Sequence, residues 1–162
     1  MNDDIILRDL APGDAGWLIA RHATHYAASD GFDATFEALV AEILAAFIRS
    51  RDPARERAWI AWRGGMRVGS IFCVAAGQPG VAKLRLFYVD PAARGTGIGH
   101  RLLDTCVNGA RDFGYDKLVL WTHESHAAAG HLYRSHGFTL DSAVPVTSFG
   151  VDLVEQSWSI TL

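Results

Sequence analysis

The segment Val81–Arg101 limits this chain most narrowly. It reads as a strand (VAKLRLFYVD), a DPAA link, the run RGTGIG at Arg94–Gly99, and a helix from Ile98 to Phe113. The apolar stripe of that helix is Leu102, Leu103, Cys106, Val107, Ala110 and Phe113. A helix start carries N–H groups without intrahelical acceptors, and the macrodipole adds partial positive charge there. Glycines at 95, 97 and 99 let that backbone approach an oxyanion closely, with Arg94 as a forked cation and the Thr96 hydroxyl as one more donor. The spacing is not that of a P-loop, because His100 and Arg101 stand where Lys and Ser/Thr are needed. Nor is it a dinucleotide fingerprint: Gly99 comes one residue early, and the loop follows a fourth strand. Taken alone, the loop also fits a plain helix start with packing glycines.

The preceding strand adds to this. Lys83 and Arg85 alternate with Ala82, Leu84 and Leu86, and the period of two then breaks at the apolar run Phe87-Tyr88-Val89. Such a break predicts a β-bulge that splays the strand and frees backbone groups. Lys117–His123 (KLVLWTH), apolar on both faces, predicts a parallel neighbour at the sheet centre, reached by a right-handed crossover through the helix. A splayed parallel pair beside an anion loop makes a slot for a long, thin, phosphate-bearing ligand.

The remaining elements place this unit in a mixed α/β sheet. Ile5–Leu10 reads as an opening strand, and Asp14 as the cap of a helix fading near His25–Ala28. The stretch HATHYAASDGFD then predicts a mobile rim, before a helix opened by Thr35. Two strands, Arg57–Arg63 and Arg67–Ala75, flank a Gly64-Gly65 hairpin turn. A short helix from about Ser125 to His136 is closed by Gly137, and Phe138–Ala143 and Leu153–Leu162 are the last strands. The expected order is β-α-α-β-β-β-α-β-α-β-β, in one domain over residues 1–162. A net charge of −3 argues against an electrostatic nucleic-acid binder. Two cysteines suit a reducing compartment, and the start MNDDIILRD shows no secretory leader. With no apolar run long enough to span a bilayer, the expectation is a cytoplasmic protein that binds neither nucleic acid nor membrane.

The run LFYVDPAARGTGIGHRLL resembles motif A of the GNAT acyltransferases, Arg/Gln-x-x-Gly-x-Gly/Ala, through Arg94, Gly97 and Gly99. HESHAAAGHLYRSHGF is similar to motif B of that family through Leu132, Tyr133, Gly137 and Phe138, with His126 where the family usually has Asn. Together they cover about residues 81–138 in the family's order and spacing. A narrower resemblance links FEALVAEILAAFI, DPARERAWIA, VAKLRLF, LWTHESHAA and SFGVDLVEQSW to the acetyltransferase half of bacterial MarR–GNAT fusion proteins, here expected to stand alone.

The resemblance implies acetyl-CoA as co-substrate, no metal, and direct attack by a primary amine on a small molecule or protein. It places pyrophosphate on the backbone of Arg94, Gly95, Thr96, Gly97, Ile98 and Gly99, and pantetheine on Phe87, Tyr88 and Val89, with His126 as a further contact. Tyr133 becomes the candidate general acid for the departing thiolate. Several relatives carry a Glu base on the strand where this chain has Lys83 and Arg85, so Glu124 and His123 are the local alternatives. His25, Tyr26 and His123 are candidates for the acceptor pocket, with His22, Trp59 and Trp62 as further contributors. The resemblance also allows a homodimer, since domains of this family frequently dimerise, sometimes through the last strands. The second functional class is an acyl-CoA-binding regulatory module with little turnover, motivated by the missing strand Glu and the regulator-fusion resemblance.

Overall fold

Apolar alternation along the chain resolves into a seven-stranded mixed sheet with helices on both faces, described for residues 4–162 of a computed structural model. The leader reading at Met1–Asp3 lies outside the described residues. In chain order the elements are β1 (Ile6–Arg8), α1 (Asp14–Asp30), α2 (Ala34–Ser50), β2 (Arg57–Arg63), β3 (Met66–Ala75) and β4 (Val81–Val89). A 3-10 turn (Pro91–Ala93) leads to α3 (Ile98–Asp112), β5 (Lys117–His123), α4 (Ala127–Ser135), β6 (Thr139–Ser148) and β7 (Val151–Thr161). The strands lie in the order β1-β2-β3-β4-β5-β7-β6, and only the β4–β5 pair is parallel. This is the expected order of elements, with the expected parallel pair at its centre. No helix among the described residues is long and apolar enough to cross a membrane.

Each face has its own core. Under α3, the side chains Ala82, Leu84, Leu118 and Leu120 pack against Ile98, Leu102, Leu103 and Cys106. Cys106 is wholly buried there, a packing residue with burial pushing its thiol well up. Trp59 is also on this side, packed so closely on Gly109 that an added Cβ would lie 2.7 Å from its ring. The opposite face holds Leu18, Val40, Leu44 and Phe47 of α1 and α2 over Ala58, Ile60 and Phe72. Trp62 packs there, flanked by the guanidiniums of Arg8 and Arg67, each 4.7 Å from its ring.

Two expectations are corrected. The HATHYAASDGFD stretch is not a rim: α1 runs unbroken through His22 and Tyr26 to Asp30. Gly31, left-handed at φ 75°, then ends it, and Asp33 caps α2 by accepting from Thr35 N at 2.9 Å. The centre of β5 is not buried on both faces either. Trp121 is 45% exposed, because its neighbour β4 leaves the ladder before reaching it.

Candidate functional site

The opening in the sheet begins with one extra residue. Ser70 pairs with Tyr88 and Phe72 with Arg85, so Leu86 and Phe87 together lie opposite Ile71. Leu86 takes a left-handed φ of 48°, and Ser70 Oγ donates to its carbonyl at 2.7 Å. The bulge changes which face each residue serves. Before it, Ala82 and Leu84 point under α3; after it, Phe87 and Val89 do, while Leu86 and Tyr88 turn toward α1 and α2. Pairing with β5 stops at Lys83–Val119, so a slit runs between the two strands beyond that point. Gly69 on β3 permits the close approach, since a Cβ there would lie 2.7 Å from Tyr88 O.

At the open end of β4 the glycine loop turns into α3. Asp90 fixes the turn by accepting from Ala92 N at 3.1 Å, and Gly95 and Gly97 are left-handed at φ 76° and 84°. The Arg94 N–H donates to Pro91 O at 3.4 Å, and the next to find a backbone acceptor is that of Arg101, on Gly97 O at 3.1 Å. Those of residues 95–100 have none among the described residues, which leaves a cradle of donors at the helix start. One loop residue differs from expectation: the Thr96 hydroxyl already donates to Ala93 O; the Ile98 side chain is buried in the core, while its backbone N–H remains part of the cradle. Gly99 lets α3 meet α4, since its Cβ would sit 3.3 Å from Leu132. Arg94 Nη2 donates to His25 Nε2 at 3.3 Å. Burial and then this guanidinium hold the His25 pKa below the usual histidine value.

Cradle and slit open into one cavity of about 710 Å³ between α1, α2, β4, β5 and α4. Its wall carries five histidines, His22, His25, His100, His123 and His126. His22 is buried, with Nδ1 2.8 Å from Leu18 O, and burial lowers its pKa to about 4. His126 is the cap residue before α4, not a member of the helix as the sequence suggested. Its Nε2 donates to Asp30 Oδ2 at 3.0 Å, its Nδ1 accepts from Thr122 Oγ1 at 3.2 Å, and its ring stacks on Tyr26 at 4.7 Å. Asp30 also accepts from Ser125 Oγ at 3.2 Å, and it is the one carboxylate on the described wall. Burial depresses the His126 pKa despite that carboxylate, and raises that of Tyr26 to about 12.

His123 sits 7% exposed between Phe32, Phe149 and the His126 ring, and its Nδ1 is buried without a partner among the described residues. Burial first, then the neighbouring His126, lowers its pKa to about 4, so it is neutral at pH 7. Tyr133 lies across the slit, its ring against Phe87, Phe138 and Trp158 at 6.0, 5.6 and 5.9 Å. Burial raises its pKa strongly, so the phenol keeps its proton.

The cavity thus gathers most of the residues singled out in the sequence: His25, Tyr26, Phe87, Tyr88, Val89, Arg94, Gly95, Gly97, Gly99, His123, His126 and Tyr133. Thr96, Ile98 and Glu124 are not on its wall, and Glu124 is exposed, leaving its backbone N–H on Val154 O at 2.9 Å. Trp59 and Trp62 are also absent from it. The structure adds Asp30, Phe36, Trp121 and Phe149, and gives Lys83 and Arg85 a place facing the cavity. Of these only Asp30 carried a usable signal, since Gly31 and Asp33 after it mark a helix end and a helix start.

With this geometry in hand, the Acetyltransferase (GNAT) family pattern matches residues 17–138. An amino-acid acetyltransferase of Mycobacterium tuberculosis is 32% identical over 80 residues, which are 49% of this chain and 43% of that protein. A mycothiol acetyltransferase of Thermobispora bispora is 35% identical over 86 residues, 50% of this chain and 29% of that protein. The chain therefore spans less than half the length of either relative. A Salmonella typhimurium yncA acetyltransferase structure, solved with its cofactor acetyl-CoA, shares the fold at a TM-score of 0.75 and 19% identity, covering 98% of this chain and 94% of that one. The family match covers the cradle, the slit and Tyr133 together, and the chain belongs to the GNAT family of acetyltransferases.

Proposed function

We propose that the protein transfers an acetyl group from acetyl-CoA to a primary amine by direct attack of the amine. The observation that carries this reading is the joining of the unpartnered N–H cradle at residues 95–100 to a slit that opens onto a separate aromatic and histidine chamber. The cradle suits a pyrophosphate, and the edges of β4 and β5 beyond Lys83 and Val119 suit the amide-bearing arm behind it. When bound, acetyl-CoA supplies an activated thioester. Backbone N–H groups at the bulge, Leu86–Val89, are placed to stabilise negative charge developing on the carbonyl oxygen.

Tyr133 faces the departing sulfur in this reading. Because burial raises its pKa well above that of a thiol, Tyr133 acts by donating a hydrogen bond rather than by giving its proton up. Glu124 is exposed and off the wall, so His123 takes the amine side. Neutral at working pH, its imidazole accepts a hydrogen bond from the amine N–H and turns the nitrogen lone pair toward the carbon. The amine's proton then leaves to solvent.

A second reading, an acyl-CoA-binding module with little turnover, is favoured by one observation. The sole wall carboxylate, Asp30, is already engaged by His126 and Ser125. Titration calorimetry with acetyl-CoA, followed by thiol release against a panel of amines, separates the two. Binding with turnover on at least one amine supports transfer. Binding with no turnover on any amine leaves the module, and no binding sinks both.

A further inference from the structure

The chamber beyond the slit has the wrong charge for a polycation. Lys83 and Arg85 are half-buried on its wall, and neither forms an ion pair among the described residues. Burial lowers the pKa of both cations; for Lys83 the neighbouring Arg85 charge adds to this and Glu155 opposes it, whereas for Arg85 burial acts alone. Their place follows from the bulge. Ala82 and Leu84 point under α3, so the alternating Lys83 and Arg85 point to the α1/α2 face, away from the helix that the glycine loop begins.

Arg85 is the residue immediately before the bulge, whereas the loop lies beyond Val89, four strand residues or about 13 Å further on. These two cations therefore serve the acceptor side and not the phosphate cradle. Lys83 is covered by the exposed Trp121 ring, its Nζ 5.4 Å from the centroid. An apolar stretch of wall adjoins them: Phe36, Leu39 and Ile43 from α2, and Phe149 from the turn between β6 and β7.

We infer that the acceptor is an amino-carboxylate, a 2-amino acid with an aliphatic or aromatic side chain, whose carboxylate is held by Arg85 within the field of Lys83. This deepens the acetyl-transfer reading and rests on it for the role of the amine. A carboxylate on Arg85 leaves its own α-amino group at the bulge, a few ångströms away, which suits a 2-amino acid and not an amine carried on a long chain. The apolar wall then takes the side chain. The chain's net charge of −3 is compatible with a cationic acceptor, whereas Lys83 and Arg85 on the chamber wall favour an anionic group.

The test uses leucine, methionine and phenylalanine, each with its carboxamide and its decarboxylated amine. Two readouts are taken: thiol release from acetyl-CoA, and calorimetric binding to the protein with and without CoA. The acids are expected to exceed their amides and amines on the order of 10- to 100-fold in kcat/KM and in affinity, the range of one charge-assisted contact. Arg85→Gln should abolish that preference while leaving the thermal midpoint and acetyl-CoA affinity in place, and Arg85→Lys should keep part of it. Amides or amines that match the acids, no binding by any acid, or a preference that survives Arg85→Gln overturns the inference. Selective binding of the acids without turnover sinks the transfer reading and leaves this one standing, whereas equal turnover of all three forms does the reverse.

Discussion

Under α3 the sheet is closed by a dry layer in which Leu102, Leu103 and Cys106 are fully buried and Gly109 sits directly on the Trp59 ring. On the α1/α2 face the same sheet ends its packing at the slit. There the wall carries His22, His25, His123 and His126, the cations Lys83 and Arg85, which form no ion pair among the described residues, and the engaged carboxylate Asp30. β4 serves both faces, and the single extra residue at Leu86 decides which side chains go to which. The contrast teaches a division of labour. Apolar closure on one side holds the strand and its bulge, and the other side keeps loop N–H groups and His123 Nδ1 without partners among the described residues.

The largest test of the contrast is acid stability. His22 and His123 have folded pKa values of about 4 against an ordinary 6.5, so the unfolded chain binds protons first as pH falls. Their contribution is complete above pH 6.5 and is lost progressively toward pH 4, about 3 kcal/mol for the fully buried His22. Urea unfolding across that interval should show the loss, and His22→Gln should flatten it. An unchanged slope in the variant would remove the histidine face as the acid-sensitive one.

Next comes Tyr133→Phe, expected to lower kcat on the order of a hundredfold with acetyl-CoA affinity retained. A raised phenol pKa also means that no tyrosine limb appears in the pH–rate profile below the ordinary tyrosine range. Full activity in the phenylalanine variant removes Tyr133 from the reaction. A smaller effect is expected from Gly69→Ala, whose Cβ would meet Tyr88 O at 2.7 Å and Leu102 at 3.1 Å. A loss of about 1–3 kcal/mol in chemical denaturation should come with weaker acetyl-CoA binding, because the clash falls on the bulge. A stability loss with unaltered binding would separate the closed face from the site. Smallest of all, Glu124→Gln should change kcat/KM less than about twofold, as an exposed side chain off the wall should; a tenfold drop would return the base to that residue.

The parts of this molecule legible in sequence are those that one strand or one loop encodes alone. The ends of β5, Lys117–His123, follow from its apolar run, and the bulge from the phase broken at Phe87, although the left-handed residue proved to be Leu86, one position earlier. The cradle follows from glycine spacing. The aromatic and histidine chamber was mostly illegible because separate pieces of chain build it. Nothing near Phe149 or Phe36 in the sequence says that they meet, with their rings 5.0 Å apart. Trp121 looked like core because strand periodicity does not reveal that a neighbouring strand will leave. His126 was read as a member of a helix, and only the approach of Asp30 from α1 shows what it does as a cap residue.

The tie between Asp33 and the tip of the last hairpin has a further consequence, in the order of assembly. Asp33 N donates to Phe149 O at 3.0 Å across more than a hundred residues of chain. Closing so long a span early costs conformational entropy that few contacts return, so the roof of the chamber is expected to form after the central strands have already associated. On that account the protein passes through a form that has its N–H cradle but not yet a closed histidine chamber. Native-state hydrogen exchange tests this: the Asp33 amide should open together with β6 and β7, and opening in step with the interior of α2 would reverse the order.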